Sequence, residues 1–278
     1  MEAKDTRTTP VCLTVAGLDP SGGAGVAADI KTFSAFGCYA ASAVTSITFQ
    51  NTQGVYGAEH QSPESVRQQL VPIFDDFDVA AVKTGMLPTK EIIEVIAEVL
   101  SERNAVRIVV DPVVRSTSGF DLIDDAALEN MIRTLLPMAL IVTPNLLEAE
   151  RIAGHPIRSE SDFTDAARIM LDFGANSVLI KGGHFESNAA PEKAIDRLFN
   201  EKGMRRFENE FIQTTSTHGT GCTLSAAICA NLALGLSVEE SVSRSKEYVT
   251  EAIAGSQGLG KGNSPVDHWA GVKIRGER

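Results

Sequence analysis

Short apolar runs alternate with longer helical patterns along most of the chain, and this alternation limits the folds that are open to it. The apolar runs are rich in Val and Ile. Several of them are apolar at nearly every position, as in strands that are buried on both faces. They predict six strands, at residues 12–16, 42–48, 80–83, 107–110, 140–142 and 177–180.

The segments between these runs carry apolar residues at helical spacing; in residues 89–103, for example, Ile92, Ile96 and Val99 share one face. Eight helices are predicted, at residues 25–36, 65–74, 89–103, 124–136, 145–153, 161–173, 222–234 and 238–254. The alternation predicts a three-layer α/β fold with a mainly parallel central sheet and helices on both faces. A strand pair at 194–199 and 205–212 is predicted at the sheet edge, because Glu201-Lys202-Gly203 is a turn signal between two alternating segments.

The charge balance excludes several classes of function. The 278 residues include 25 Lys and Arg against 36 Asp and Glu, a net charge of −11, whereas nucleic acids and anionic membranes attract basic surfaces. No run reaches the roughly 18 apolar residues of a spanning helix. The first ten residues lack the apolar core of a secretory signal. We therefore predict a cytoplasmic protein with no nucleic-acid or membrane partner and one domain, residues 1–278, with irregular tails at 1–10 and about 256–278.

The four cysteines, Cys12, Cys38, Cys222 and Cys229, include no CxxC pair, and His is scarce. A structural zinc site is therefore not expected. At least three of the cysteines are predicted to be reduced thiols. Cys222 has two open interpretations: a small buried hydrophobe, or a general base or nucleophile whose pKa is lowered at the start of a helix.

The segment that precedes the 222–234 helix is the strongest candidate for chemistry. It reads His218-Gly219-Thr220-Gly221-Cys222 and leads directly into an Ala-rich apolar pattern. Glycines in a turn at a helix N-terminus allow several backbone N–H groups to face one anion, which the helix dipole also favours. The alternative is an ordinary turn into a helix. A Cys–His hydrolase is disfavoured because no third orienting group is recognisable.

Three charged residues, Asp111, Glu148 and Lys181, are expected at the carboxyl ends of predicted strands, where open parallel sheets bind ligands. A fourth, Asp29, lies one helical turn beyond Gly22-Gly23 in the first glycine loop. Asp29 is placed to accept hydrogen bonds from a ring N–H or an amine. Asp111 and Glu148 suit Mg²⁺ held through water, and Lys181 is placed to reach a phosphate. Each has a structural alternative as a cap or a surface residue.

The first glycine loop, Gly17 to Gly25, does not have the GxGxxG pattern, which disfavours a dinucleotide-binding dehydrogenase. The chain also has no P-loop motif, which excludes a P-loop kinase at the level of motifs.

Taken together, these loops resemble the hydroxymethylpyrimidine/phosphomethylpyrimidine kinases of thiamine biosynthesis, which belong to the ribokinase-like superfamily. The segments that carry the resemblance are AGLDPSGGAGVAADIKTFSAFGCYAASAVTSITFQNTQGV, VKTGML, VVDPVV, VTPNLLEAE, LIKGGH and HGTGCTLSAAI. They run in one order over about residues 11–255. The resemblance implies a ribokinase-like fold and ATP-dependent, Mg²⁺-assisted phosphorylation of 4-amino-5-hydroxymethyl-2-methylpyrimidine, and then of its monophosphate.

The resemblance also implies roles for individual residues. Its pyrimidine pocket corresponds to Gly17, Ala24, Asp29, Gln50, Met86 and Val113. Its anion hole corresponds to Gly219, Thr220 and Gly221, with Cys222 as the base. ATP and phosphate contacts are expected from Lys181, Asn145, Thr217 and Arg115, and metal contacts from Asp111 and Glu148.

The segment 115–119 is expected to form a mobile lid and departs from the family pattern. Arg115 stands where an apolar or small residue is more usual, so an extra phosphate contact is expected there, and the lid lacks the cysteine of some pyridoxal kinases. A pyridoxal or pyridoxine (vitamin B6) kinase is therefore the second hypothesis. A non-catalytic pyrimidine-binding regulatory protein is the third. A homodimer is expected from the resemblance alone.

Overall fold

The computed structural model describes residues 9–103, 106–115, 119, 121–182 and 193–271. The strands in these residues form one sheet with the order β3-β2-β1-β4-β5-β6-β7-β8-β9. Their bounds are β1 (Val11–Leu18), β2 (Tyr39–Asn51), β3 (Gly54–His60), β4 (Val79–Thr84), β5 (Arg107–Val110), β6 (Ile141–Val142), β7 (Ser177–Lys181), β8 (Lys193–Asn200) and β9 (Gly203–Glu210).

The centre of the sheet is parallel from β2 to β7, and both margins are antiparallel. The mainly parallel sheet is therefore confirmed, and so is the antiparallel pair at one edge, where β8 and β9 pair along their whole length. In this arrangement the carboxyl ends of the parallel strands lie at one edge of the sheet, so the loops that follow them lie close together.

The opposite margin differs from the sequence prediction. β2 extends to Asn51 and pairs with β3, a strand that the sequence patterns did not predict. The β3 segment contains two glycines and ends in polar residues, so it has little strand propensity of its own and is held by its pairing with β2. Gln50, two residues beyond the predicted strand at 42–48, consequently lies within β2, opposite Val55 and next to an irregularity in the register.

The helices lie close to their predicted positions: α1 (Gly25–Ala35), α2 (Pro63–Asp76), α3 (Lys90–Ser101), α4 (Asp125–Thr134), α5 (Leu146–Ala153), α6 (Glu160–Asp172), α7 (Thr220–Ala233) and α8 (Val238–Ala254). Six of them begin after a Ser, Thr, Asp or Asn whose side chain accepts a hydrogen bond from the first turn. Only α1 and α7, among the α-helices of the described residues, begin without a side-chain cap.

The two faces of the sheet are covered by different helices. Helices α2 to α6 contribute to one buried apolar cluster, and α1, α7 and α8 contribute to the other. Side chains along the strands alternate between the two clusters: Leu13 and Val110 belong to the first, and Cys12 and Val109 to the second. The predicted three-layer α/β architecture is therefore confirmed. Cys12, Cys38 and Cys229 are buried free thiols, as predicted.

Residues 256–271 were expected to be an irregular tail, and they have little secondary structure, yet they pack closely on the sheet edge. The Ser264 carbonyl accepts a hydrogen bond from the His218 N–H at 3.2 Å, and the Asn263 N–H donates to the Thr52 carbonyl at 2.8 Å. This segment thus ties the loop before α7 to the β2–β3 hairpin. Residues 1–8 and 272–278, and residues 116–118 of the predicted lid, lie outside the described residues.

Candidate active site

A cavity lies at the carboxyl ends of the parallel strands and brings together nearly all the predicted site residues. Those that line it are Gly17, Ala24, Gln50, Met86, Asp111, Val113, Arg115, Asn145, Glu148, Lys181, Thr217, Gly219, Thr220, Gly221 and Cys222. Asp29 does not line the cavity. Lys83, Asp19 and His218 do, although none of the three was predicted as a site residue.

The turn before α7 forms one wall of the cavity. Gly219 has φ +78°, and a Cβ atom at this position would lie 1.8 Å from the carbonyl oxygen of Gly23. Only glycine therefore fits here. The close approach packs the turn against the first glycine loop. Because α7 starts at Thr220 with no capping side chain and no acidic residue in its first turn, backbone N–H groups and the positive end of the helix dipole are available to an anion.

Asp19 joins these two loops, and the sequence analysis missed it. Its carboxylate accepts hydrogen bonds from the backbone N–H groups of Ser21, Gly23 and Ala24 at 2.7, 3.1 and 2.9 Å. It also pairs with Nε2 of His218 at 2.8 Å. Burial alone would raise the pKa of Asp19, but the hydrogen bonds from His218 and Ser21 hold it below its usual range. The carboxylate thus fixes the glycine loop to the residue before the Gly-Thr-Gly turn.

Cys222 lies in the first turn of α7 with its side chain partly exposed to the cavity. The expected low pKa of its thiol is wrong. The pKa of Cys222 is raised to about 11, chiefly by desolvation and also by the carboxylates of Asp29 and Asp111. The ammonium group of Lys83 and the backbone N–H of Gly25 oppose this change. The helix dipole is outweighed because nearby negative charges in a desolvated site disfavour a thiolate.

The predicted role of Asp29 in binding a ring N–H does not match its place in the structure. Asp29 and Lys83 are both fully buried, and the Lys83 ammonium group lies 3.1 and 2.9 Å from the two oxygens of the carboxylate. Thr14 donates a further hydrogen bond to Asp29 at 2.5 Å. The neighbouring carboxylates raise the pKa of Lys83 despite its burial, so it stays charged. The pair therefore forms the floor beneath the cavity, and Asp29 has no free oxygen facing a ligand.

Asp111 and Lys181 form a second ion pair on the cavity wall, with 3.1 Å between the carboxylate and the ammonium group. Asp111 also accepts hydrogen bonds from the hydroxyl groups of Thr143 and Ser225, each at 3.0 Å. Ser225 lies on α7, so this carboxylate links β5 to the helix that starts at the glycine turn. Burial would lower the pKa of Lys181, but Asp111 and Glu148 raise it above its usual value.

Glu148 and Asn145 form a capping box at the start of α5. Asn145 accepts a hydrogen bond from the Glu148 N–H at 2.9 Å, and Glu148 accepts one from the Asn145 N–H at 2.8 Å. Both side chains also line the cavity. Burial raises the pKa of Glu148 to about 7; Lys181 lowers it and the charge of Asp111 raises it. Asn145 and Glu148 therefore cap α5 and also line the cavity, and their roles toward ATP and metal stay predictions.

Small and apolar residues form the opposite wall. A Cβ atom on Gly17 would lie 2.9 Å from the sulfur of Met86, so the absence of a side chain at Gly17 makes room for Met86. The Met86 carbonyl accepts a hydrogen bond from the Thr45 hydroxyl at 2.7 Å, which fixes the loop after β4 to β2. Val113 and Gln50 line the same cavity, so this wall offers apolar side chains beside one polar group.

Comparison with solved structures defines the class of protein. The chain is 35% identical to the pyridoxal kinase of Staphylococcus aureus solved with AMP-PCP and pyridoxal, with a TM-score of 0.87 and 96% of each chain covered. It is 42% identical to phosphomethylpyrimidine kinase of Clostridium difficile 630, with a TM-score of 0.77, over 88% of this chain and 100% of that one. The fold is that of the ribokinase-like kinases.

Sequence comparison then gives the family. The model of the phosphomethylpyrimidine kinase family matches residues 19–267. A hydroxymethylpyrimidine/phosphomethylpyrimidine kinase of Staphylococcus aureus strain MRSA252 is 43% identical over 267 residues, which are 96% of each chain. This chain belongs to the phosphomethylpyrimidine kinase family and is a kinase, as the resemblance predicted.

Within the described residues, no helix is long and apolar enough to cross a membrane.

Proposed function

We propose that the chain transfers the γ-phosphoryl group of ATP to 4-amino-5-hydroxymethyl-2-methylpyrimidine, and then to the resulting monophosphate, in thiamine biosynthesis. The observation that carries this proposal is the shared cavity of the 219–222 turn and the apolar wall. Phosphoryl transfer needs mainly positioning and charge stabilisation. Backbone N–H groups at a helix start can face the transferring group, while Met86 and Val113 lie against a flat ring.

The acceptor ring is assigned to the wall formed by Gly17, Ala24, Met86 and Val113. The Gln50 amide donates one hydrogen bond to Asp19. Its carbonyl oxygen and second N–H leave an acceptor and a donor for the amino group and ring nitrogens. Asp29 is assigned no hydrogen bond to the ring, because its oxygens are bound by Lys83 and Thr14. Lys181, Asn145 and Thr217 are assigned to the phosphates of ATP.

The wall around Asp111 and Glu148 fits a magnesium ion. These two buried carboxylates share the nearby ammonium group of Lys181, which lies 3.1 Å from Asp111. Burial raises the pKa of Glu148, and the charge of Asp111 also contributes to the rise. Within the described part of the chain, no three His, Cys, Asp or Glu side chains form a metal cluster. Two carboxylates are enough for Mg²⁺, which usually keeps several waters and binds one or two carboxylates together with phosphates. When bound, the ion would neutralise phosphate charge, and Asp111 and Glu148 would hold it.

Cys222 is assigned to remove the proton of the acceptor hydroxyl group as its oxygen attacks phosphorus. Its sulfur carries a proton at neutral pH, since its pKa is about 11. At pH values below 11, the thiolate fraction therefore increases about tenfold for each unit by which the pH is raised. Lys83 is the buried cation that stabilises the thiolate. The second acceptor is already an anionic phosphate, so its attack depends less on a base.

Replacement of Cys222 by Ala tests this assignment. We expect the first phosphorylation to fall by about 100-fold or more, the scale of general-base catalysis, and the second to fall far less. The first step should also lose its rise in rate between pH 7 and pH 9. Cys229→Ala, a buried thiol on the same helix, is the matched control and should affect both steps equally. Equal losses of both steps in Cys222→Ala would contradict the base role.

The second candidate function is a pyridoxal kinase, which the 35% identity to a pyridoxal-bound kinase favours. The apolar wall contains no group that selects a pyrimidine over a pyridine except the Gln50 amide. Parallel assays of ATP consumption with hydroxymethylpyrimidine and with pyridoxal separate the two. A larger kcat/KM for pyridoxal would overturn the assignment of substrate and leave the phosphotransferase intact.

A further inference from the structure

Three Lys or Arg side chains line the cavity within the described residues, and two of them are already held by buried carboxylates. Lys83 contacts both oxygens of Asp29, and Lys181 lies 3.1 Å from Asp111. Moving either ammonium group away would leave a buried carboxylate without its partner, which is strongly unfavourable. Neither lysine is therefore free to move toward an additional negative charge on the substrate.

Arg115 differs from both lysines. Its Nε donates to Asp121 at 2.8 Å, and the two side chains are 54% and 58% exposed. Asp121 does not line the cavity, so water can replace the arginine at this carboxylate. Exposed ion pairs contribute little. A guanidinium group also has five N–H donors in a fork that matches a phosphate. Arg115 can thus turn from Asp121 to an anionic ligand at small cost.

The backbone before Arg115 is fixed, which determines where its side chain can reach. The Val114 carbonyl accepts a hydrogen bond from the Leu122 N–H at 2.9 Å, and the Val114 N–H donates to Glu148 at 3.4 Å. Val113, two residues before Arg115, belongs to the wall assigned to the acceptor ring. Arg115 thus lines the cavity two residues beyond a residue of the wall assigned to the acceptor ring.

The two proposed acceptors differ by one phosphate, which carries a charge of about −1.5 to −2 near neutral pH. The carboxylates of Asp19, Asp111 and Glu148 already line the cavity. We propose that Arg115 binds the phosphate of the monophosphate acceptor and makes this enzyme selective for the second phosphorylation over the first. This inference rests on the proposed function, and it assigns to Arg115 the acceptor phosphate and not ATP.

Steady-state kinetics of Arg115→Gln with each acceptor test the proposal. We expect KM for the monophosphate to rise so that its kcat/KM falls about 10- to 100-fold, the range for a lost hydrogen bond to a charged group. The value for the hydroxymethyl acceptor should fall much less. Arg168→Gln, which removes an exposed Arg–Asp pair elsewhere on the surface, should change neither step. Arg115→Lys should recover part of the loss, because it keeps the charge without the fork.

Asp121→Asn provides a change in the opposite direction. Arg115 is then released from its exposed partner, so KM for the monophosphate should fall by up to about fivefold, the range for exposed pairs. Raising the ionic strength should shrink this gain. A rise in KM for the monophosphate in Asp121→Asn would mean that Asp121 positions Arg115 for binding, and it would overturn the view of the pair as a competitor.

Two further outcomes of the kinetics would overturn the proposal. Equal losses in both steps for Arg115→Gln would assign Arg115 to ATP, and unchanged values would show that it touches neither substrate. If the wild-type chain phosphorylates neither acceptor, the proposed function fails. Calorimetric titration of the monophosphate into wild type and Arg115→Gln then still decides the inference, because equal dissociation constants would refute it.

Discussion

Replacing Lys83 by Met would leave Asp29 as a fully buried carboxylate with only Thr14 as a partner. At 2.9 Å and an effective dielectric constant of about 20, the lost attraction is about 6 kcal/mol. The folded chain has a less costly response, which is to protonate Asp29. Because the ordinary pKa of Asp is about 3.9, this protonation costs about 4 kcal/mol at pH 7. We therefore expect Lys83→Met to reduce the free energy of unfolding by about 4 kcal/mol at pH 7.

The dependence on pH makes this prediction specific. In Lys83→Met the folded-state pKa of Asp29 lies above its unfolded value. The associated stability is present at low pH and is lost as pH rises. The penalty relative to wild type should thus shrink to about 1.5 kcal/mol at pH 5. Guanidinium unfolding midpoints at pH 5, 6 and 7 measure it. Lys90→Met, which removes an exposed lysine paired with Glu94, is the matched control and should have little effect at any pH.

The double variant Lys83→Met with Asp29→Asn completes the test. Asparagine keeps the shape of Asp29 and can accept the Thr14 hydrogen bond, but it carries no charge. We expect the double variant to recover more than half of the stability that Lys83→Met loses and to show no dependence on pH. A penalty for Lys83→Met that is the same at pH 5 and pH 7 would refute the reasoning, as would additive losses in the double variant.

Two other predictions concern the glycine turn and the packed tail. Gly219→Ala places a Cβ 1.8 Å from the Gly23 carbonyl oxygen, so phosphorylation of both acceptors should fall by over 100-fold. Gly203→Ala, which also has a positive φ but no atom within 4 Å, should retain activity; equal effects would contradict the steric argument. Burial lowers the pKa of His268 from 6.5 to about 4. Between pH 6.5 and pH 4, His268 is therefore protonated in the unfolded chain and neutral in the folded chain. The free energy of unfolding should fall by about 3 kcal/mol over this range. His268→Gln should flatten this fall in denaturant midpoints; an unchanged slope would assign the acid sensitivity to other groups.

The sheet and helices could be predicted because their patterns are local. Residues 107–110 are apolar enough to indicate a buried strand, and residues 89–103 carry one apolar helical face; the structure places β5 and α3 there. β3 escaped prediction because its segment has no strong pattern and forms through pairing with β2. The packed residues 256–271 escaped for a similar reason, since their order comes from contacts with Thr52 and His218 far along the chain. A homodimer and a cytoplasmic location stay predictions.

Within the site, the sequence predicted well which residues line the cavity, but it predicted their ion-pair partners poorly. Glycine turns and residues that follow strands can be found by position alone, and those predictions placed Lys181, Asp111 and Cys222 at one cavity. Partners depend on which strands become neighbours. Lys83 lies on β4, directly beside β1 and beneath α1, so it neutralises Asp29. The only sequence signal for this pair was the position of Lys83 within an apolar run, because a lysine is rarely buried without a partner.

The distribution of partners separates the fixed part of the site from its adjustable part. Asp29 with Lys83, and Asp111 with Lys181 and Ser225, are buried pairs that join strands to α1 and α7. Their charges surround the turn where phosphoryl transfer is proposed, and they need no rearrangement when the reaction occurs, which is how preorganised groups stabilise a transition state. Buried pairs whose charges already neutralise each other contribute little to selectivity for an added phosphate. A charge with a solvated partner can turn toward that phosphate, and among the lysine and arginine side chains of the described cavity wall only Arg115 meets that condition.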